Sequence, residues 1–247
     1  MYDLDGETAI VTGAAQGFGE GIAHRLGEAG ANVVVADIQV EKGKGTVDDL
    51  EEKDVDAAFV EADVTDLDSV EAMVEQVEEQ FGTIEILVNN AGGSGSEDFD
   101  DIEPDAWHAG IDLNLNGPFN CSKAVMPGMQ AHGNGRIVNI SSMAGRNVTV
   151  NGNPAYTAGK WGVIGLTKHM ARDLGPEIRV NALCPGGSPR GPMGRWAEPE
   201  DIANGVHFLV AHESEYVHGE VLQVEGGSHL NPSAEDLDGL SAPAGDR

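Results

Sequence analysis

Along almost the whole chain, short apolar runs alternate with stretches whose apolar residues recur at helical spacing, and no other feature restricts the fold as much. The runs are ETAIVTG, ANVVVAD, DAAFVEAD, IEILVNNAGG, RIVNIS, IRVNALCPGG and GEVLQVEGG. Most are apolar on consecutive residues rather than on every second one, as strands covered on both faces are. Helical segments lie between them; DLDSVEAMVEQVEEQFG, for example, opens on Asp66 as a helix cap. The expectation is an α/β chain, with a single doubly wound parallel sheet of about seven strands flanked by helices over residues 1–230. Residues 231–247 form a polar acidic tail that is expected to be disordered.

The first strand runs into TGAAQGFGEGIAHRLGEAGA, a glycine turn that becomes helical. Gly13, Gly17 and Gly19 permit a tight turn and close backbone approach, while the start of the helix offers unpaired N–H groups to a pyrophosphate. The spacing is G-x-x-x-G-x-G rather than G-x-G-x-x-G. The second strand ends at Asp37, about 20 residues past this cradle, where an acid accepts hydrogen bonds from an adenosine ribose and repels a 2′-phosphate. NAD is therefore expected over NADP. The fourth strand ends in Asn89, Asn90, Ala91 and Gly92, at the carboxyl edge where ligands sit in open α/β sheets.

Further along, AYTAGKWGVIGLTKHMARDL is helical in spacing, so Tyr156 and Lys160 leave one face about a turn apart. A phenol has a reference pKa near ~10, and a neighbouring ammonium favours the phenolate; Lys160 is expected to supply that charge. Ser142, at the end of the fifth strand, is expected to place a hydroxyl beside the phenol, and the two together suit an alcohol or ketone oxygen. Tyr-x-x-x-Lys alone is no more than an ordinary surface pair; its weight comes from the pieces around it. Asn114 lies inside the long segment PDAWHAGIDLNLNGPFNCSKAVMPGMQAHG, read as a helix interrupted at Pro118, where asparagine is a mediocre helix former and suggests a hydrogen-bonding role.

Charge narrows the partners. With 14 basic and 42 acidic residues the net charge is -28, which argues against nucleic acid and anionic membranes. It also points to a protein that works in concentrated salt, because such self-repulsion destabilises a compact chain when unscreened. Cys121 and Cys184 fall in apolar segments and are expected to be free buried thiols of a reducing, cytoplasmic compartment. No signal segment or membrane span is legible. His207, His212 and His218 do not share a helix face, so no metal site is expected. Asn139-Ile140-Ser141 and Asn147-Val148-Thr149 match glycosylation triplets only by coincidence.

Taken together, TGAAQGFG at 12–19, Asp37, Asp63-Val64, NNAG at 89–92, Asn114, Ser142, YTAGK at 156–160 and Pro185-Gly186 resemble the motifs of the short-chain dehydrogenase/reductase family. The resemblance extends to about Gly227 and implies a Rossmann-type fold, an NAD cofactor and exchange of hydride between nicotinamide and a secondary alcohol or ketone. By the same resemblance Tyr156 is the acid/base, Ser142 holds the substrate oxygen, Lys160 binds the nicotinamide ribose and shifts Tyr156, and Asn114 anchors a proton-carrying water. Gly13, Gln16, Gly17, Phe18 and Gly19 would hold the pyrophosphate, Asp37 the adenosine ribose, and Asp63 and Val64 the adenine. Asn90, Ala91, Gly92, Pro185, Gly186 and Ser188 would line the nicotinamide side. The family commonly forms tetramers through the helices that here carry Asn114 and Tyr156. One departure is plain: the family's longer, partly helical lid is replaced by GSPRGPMG, and Ser188 stands where a threonine usually contacts the carboxamide. A 3-oxoacyl thioester reductase and a sugar or polyol dehydrogenase both fit, and the short lid also admits a dinucleotide-binding scaffold without turnover.

Overall fold

A computed structural model describes residues 3–147, 152–189 and 191–230; the tail read at 231–247 lies outside the described residues. Strand β1 (Thr8–Thr12) leads to helix α1 (Gly17–Glu28), β2 (Asn32–Asp37) to α2 (Val40–Glu51), and β3 (Ala57–Glu61) to α3 (Leu67–Phe81). Then come β4 (Ile86–Asn89), α4 (Pro104–Ile111), α5 (Gly117–His132), β5 (Gly135–Ile140), α6 (Pro154–Leu174) and β6 (Ile178–Pro185). A two-stranded ribbon, β7 (Gly187–Ser188) with β8 (Arg195–Trp196), precedes α7 (Pro199–Val210) and β9 (Val221–Val224).

Seven strands form one parallel sheet in the order β3-β2-β1-β4-β5-β6-β9. The apolar runs are explained by layers on both faces. In β1, Ala9 and Val11 pack toward α1 and α7 with Ile22, Leu26 and Val206, while Ile10 faces the α3 and α5 side with Val74, Val77 and Val125. All three β1 residues are fully buried, Ile10 and Val11 each contributing roughly 1.5–3 kcal/mol. The strand order reverses between β1 and β4, which opens the crevice in which such sheets bind ligands.

The caps follow local chemistry: Asp66 accepts from the Asp68 amide at 3.1 Å, as expected for the start of α3. Three local readings need correction. The break in the long helix is not at Pro118 but in a π-helical turn over Asp112–Asn116, after which Pro118 sits in the first turn of α5, where its missing N–H costs little. The third strand ends at Glu61, so Asp63 and Val64 lie in the following turn. Ser142 lies beyond β5 and caps a single 3-10 turn, Met143–Gly145, accepting from the Ala144 amide at 3.0 Å.

Candidate active site

The loop after β1 is shaped by what a side chain cannot do. Gly13 and Gly17 hold φ of 63° and 64°, a backbone region that favours glycine. A Cβ on Gly19 would lie 2.2 Å from the Gly13 carbonyl oxygen and 2.5 Å from Asn90 Nδ2. The loop after β4 locks onto it. Thr12 Oγ1 accepts from the amides of Asn90 at 3.0 Å and Ala91 at 3.1 Å, and Asn90 Nδ2 donates to the carbonyls of Thr12 at 2.9 Å and Gly13 at 3.0 Å. Asp37, buried at the end of β2, accepts from the Ala15 amide at 3.0 Å and the Gln39 amide at 2.9 Å, joining a third segment to the same cradle. Gln16 gives α1 no side-chain cap, and its amide oxygen instead accepts from Lys42 at 2.6 Å. The first N–H groups of α1 are thus left for a ligand, as a pyrophosphate requires.

The second cluster is carried by β5, the π-helical turn and α6. Asn153 caps α6, accepting from the Tyr156 amide at 2.8 Å and donating to Glu97 at 2.9 Å. Lys160 is buried and donates to the Ile140 carbonyl at 2.9 Å, with its Nζ 5.7 Å from the centre of the Tyr156 ring. Asn114 is fully buried; its Nδ2 donates to the carbonyls of Gly93 and Gly110, both at 2.9 Å, and its Oδ1 accepts from the Gly93 amide at 3.2 Å. A Cβ on Gly92 would stand 3.0 Å from Asn114 Oδ1 and 3.1 Å from Lys160 Nζ, so any larger residue would press on both.

The expected lowering of the Tyr156 phenol is not what the chain by itself produces. Burial pushes it above its ordinary value and outweighs the hydrogen bond from Ser142, with the Cys184 thiol adding to the rise. Burial also brings Lys160 down to about 8, which weakens the cation on which the lowering depends. Cys184 and Cys121 are both free and buried.

A cavity of about 1030 Å³ joins the two clusters. Its wall includes Gly13, Gln16, Gly17, Phe18, Asp37, Asp63, Val64, Asn90, Ala91, Gly92, Ser142, Tyr156, Lys160, Pro185, Gly186 and Ser188. Gly19 and Asn114 stand behind the wall and shape it. An elongated crevice with a glycine cradle, a buried acid and a helix N-terminus at one end and a phenol, hydroxyl and ammonium at the other fits a dinucleotide and a small alcohol. Sequence reading gave no role to Thr12, Asn153 and Glu97, which fix the loops, nor to Met143, Trp196, Ser228 and His229, which also line the cavity. In place of a long lid, Gly187 and Ser188 pair antiparallel with Trp196 and Arg195.

Comparison with known proteins agrees with this geometry. The short chain dehydrogenase family model matches residues 7–196, and the Enoyl-(Acyl carrier protein) reductase model matches residues 187–229. Trans-4-hydroxycyclohexanecarboxylate dehydrogenase of Sinomonas cyclohexanicum is 41% identical over 90% of this chain and 92% of its own. A 3-oxoacyl-[acyl-carrier-protein] reductase of Staphylococcus aureus is 37% identical over 91% and 98%. The crystal structure of gox2181 superposes with a TM-score of 0.89 at 33% identity, covering 94% of this chain and 100% of that one.

Proposed function

The chain belongs to the short-chain dehydrogenase/reductase family of nicotinamide-dependent oxidoreductases that act on CH–OH and keto groups, and from that premise we propose that it is an NAD-preferring dehydrogenase/reductase of a secondary alcohol or its ketone. The observation that carries the reading is the meeting of Tyr156, Ser142 and Lys160 in one cavity with the glycine cradle and Asp37. When bound, the nicotinamide accepts or returns the hydride; the rest of the reaction falls to this chain's own residues. Ser142 Oγ and the Tyr156 hydroxyl hold the substrate oxygen. In oxidation the Tyr156 phenolate takes the hydroxyl proton, and in reduction the phenol gives it back. Lys160 holds the nicotinamide ribose and opposes the rise that burial imposes on Tyr156. Asp37 takes the adenosine ribose, and its charge disfavours a 2′-phosphate.

Several properties accompany this reading as proposals. The net charge of -28 suits a cytoplasm of high salt. Phe119 on α5 and Trp161 on α6, both about half exposed, suit a dimer or tetramer built on those helices. No helix of the described residues is long and apolar enough to cross a membrane. Substrate candidates are compact hydroxy or oxo compounds and 3-oxoacyl thioesters, the classes that the relatives' names carry. The deciding test is an NADH absorbance assay in concentrated KCl against 3-oxoacyl thioesters, diketones, simple ketones, sugars and polyols. Turnover of at least one class supports the reading; NADH binding without turnover across the whole panel would count against it.

A further inference from the structure

The turn after β9 contributes Ser228 and His229 to the wall of the cavity. Gly226 and Gly227 hold φ of 65° and 73°, which doubles the chain back so that Ser228–Leu230 forms one 3-10 turn. Everything in this turn converges on Glu225, whose side chain is 4% exposed. Its carboxylate accepts from the amides of Gly227 and His229, each at 3.0 Å, from the Ser228 hydroxyl, and from His229 Nδ1 at 2.7 Å. Burial pushes Glu225 up, but the bonds from Ser228 and His229 more than offset it and hold the acid below its ordinary value. A charged Glu225 holds a proton on His229 Nδ1, so Nε2 is the nitrogen left for a ligand, and it donates to an anion when the ring carries both protons. The turn is seated on the floor of the site: a Cβ on Gly186 would meet Met143 Cγ at 2.5 Å and Glu225 Cβ at 2.8 Å.

His229 lines the cavity that holds Tyr156 and Ser142, with its side chain 36% exposed. Among the described residues of that wall, the groups able to carry positive charge are Lys160 and His229. Lys160 already donates to Ile140 and lies beside Tyr156. His229 is the other, with Nδ1 engaged by Glu225 and Nε2 outside that bond, and Met143 and Trp196 give apolar parts of the same wall. We propose that His229, oriented by Glu225, binds the carboxylate of the substrate, so that the enzyme acts on a hydroxy or oxo acid with a hydrocarbon body between its two polar ends. This inference rests on the alcohol/ketone reading and deepens it. Glu225 is a positioning residue; His229 makes the contact.

The test is binding, so it stands apart from turnover. Butanoate, pentanoate and hexanoate are titrated against the NADH-loaded protein beside the matching amides, in wild type, His229→Gln and His229→Lys. A charge-assisted hydrogen bond predicts that wild type prefers at least one carboxylate to its amide by about tenfold or more, that Gln removes the preference and that Lys restores part of it. Glu225→Gln should reduce the same preference without shifting amide affinity as far. Equal affinity for acids and amides in wild type, or an undiminished preference in His229→Gln, would overturn the proposal. If the preference is present but no alcohol or ketone is turned over, the catalytic reading fails and the carboxylate site stands.

Discussion

At the glycine-loop end of the cavity, three segments remote in sequence are tied by several bonds from the Thr12, Asn90 and Asp37 side chains to main-chain groups, over a glycine where no Cβ fits; at the opposite end, one turn is gathered around the single carboxylate of Glu225. Gly13, Gly19, Thr12, Asn90 and Asp37 interlock so closely that a Cβ on Gly19 would collide with two of its partners. The ribbon of β7 and β8 is a single backbone pairing of two residues on each side, and the Glu225–His229 turn depends on one carboxylate and its bonds. A site that receives the same cofactor at every turnover is best made from backbone that is tied down at several points. A site that must suit one substrate is best made from replaceable side chains.

The contrast can be broken most easily at its rigid end. Gly19→Ala should weaken NADH binding by about tenfold or more, since overpacking costs about 1–3 kcal/mol where neighbours are tied; fluorescence titration giving wild-type affinity would mean that the cradle is softer than its contacts imply. Asp37→Ala removes the acceptor for the Ala15 and Gln39 amides as well as the charge proposed to meet the adenosine ribose. The ratio of kcat/KM for NAD over NADP should fall by roughly tenfold, the equivalent of ~1.4 kcal/mol, and an unchanged ratio would remove Asp37 from cofactor choice. Asn153→Ala deletes the cap beneath Tyr156 and should cost about 0.5–2 kcal/mol, lowering Tm by a few degrees, with kcat falling more than NADH affinity. A variant that loses NADH affinity instead would show that the two ends are not separable.

The smallest effect is a pH dependence. Lys160 titrates at about 8 in the folded chain against 10.5 ordinarily, so between those values the unfolded chain binds more protons and this group's contribution to stability rises with pH. The Tm difference between wild type and Lys160→Met should therefore move in favour of wild type from about pH 8 to 10.5. A constant difference would mean that Lys160 is better solvated than its burial indicates.

The seven strands were legible because each is apolar on both faces and is punctuated by glycine or a helix cap. The residues around Gly13, Asp37 and Tyr156 were legible because backbone chemistry demands particular residue types at fixed spacing. Other features were hidden because they depend on contacts between distant segments. Thr12 reads as one more strand residue until it is seen accepting from Asn90 and Ala91, and Asn153 reads as a loop residue until its bonds to Tyr156 and Glu97 are traced. The π-helical turn around Asn114 left no trace in periodicity, and Pro118 drew the break a few residues too late. The direction of the Tyr156 shift also escaped, since sequence shows the lysine one turn away but not the burial that outweighs it.

The most direct measurement compares NADH oxidation by wild type and Tyr156→Phe on the best ketone of the panel, with NADH affinity measured in parallel. Loss of a positioned proton donor should lower kcat by about 10²–10⁴-fold while NADH affinity stays within about twofold, a difference below ~0.5 kcal/mol. Comparable kcat in the two proteins would contradict the assignment of the acid/base and, with it, the account of how this cavity works.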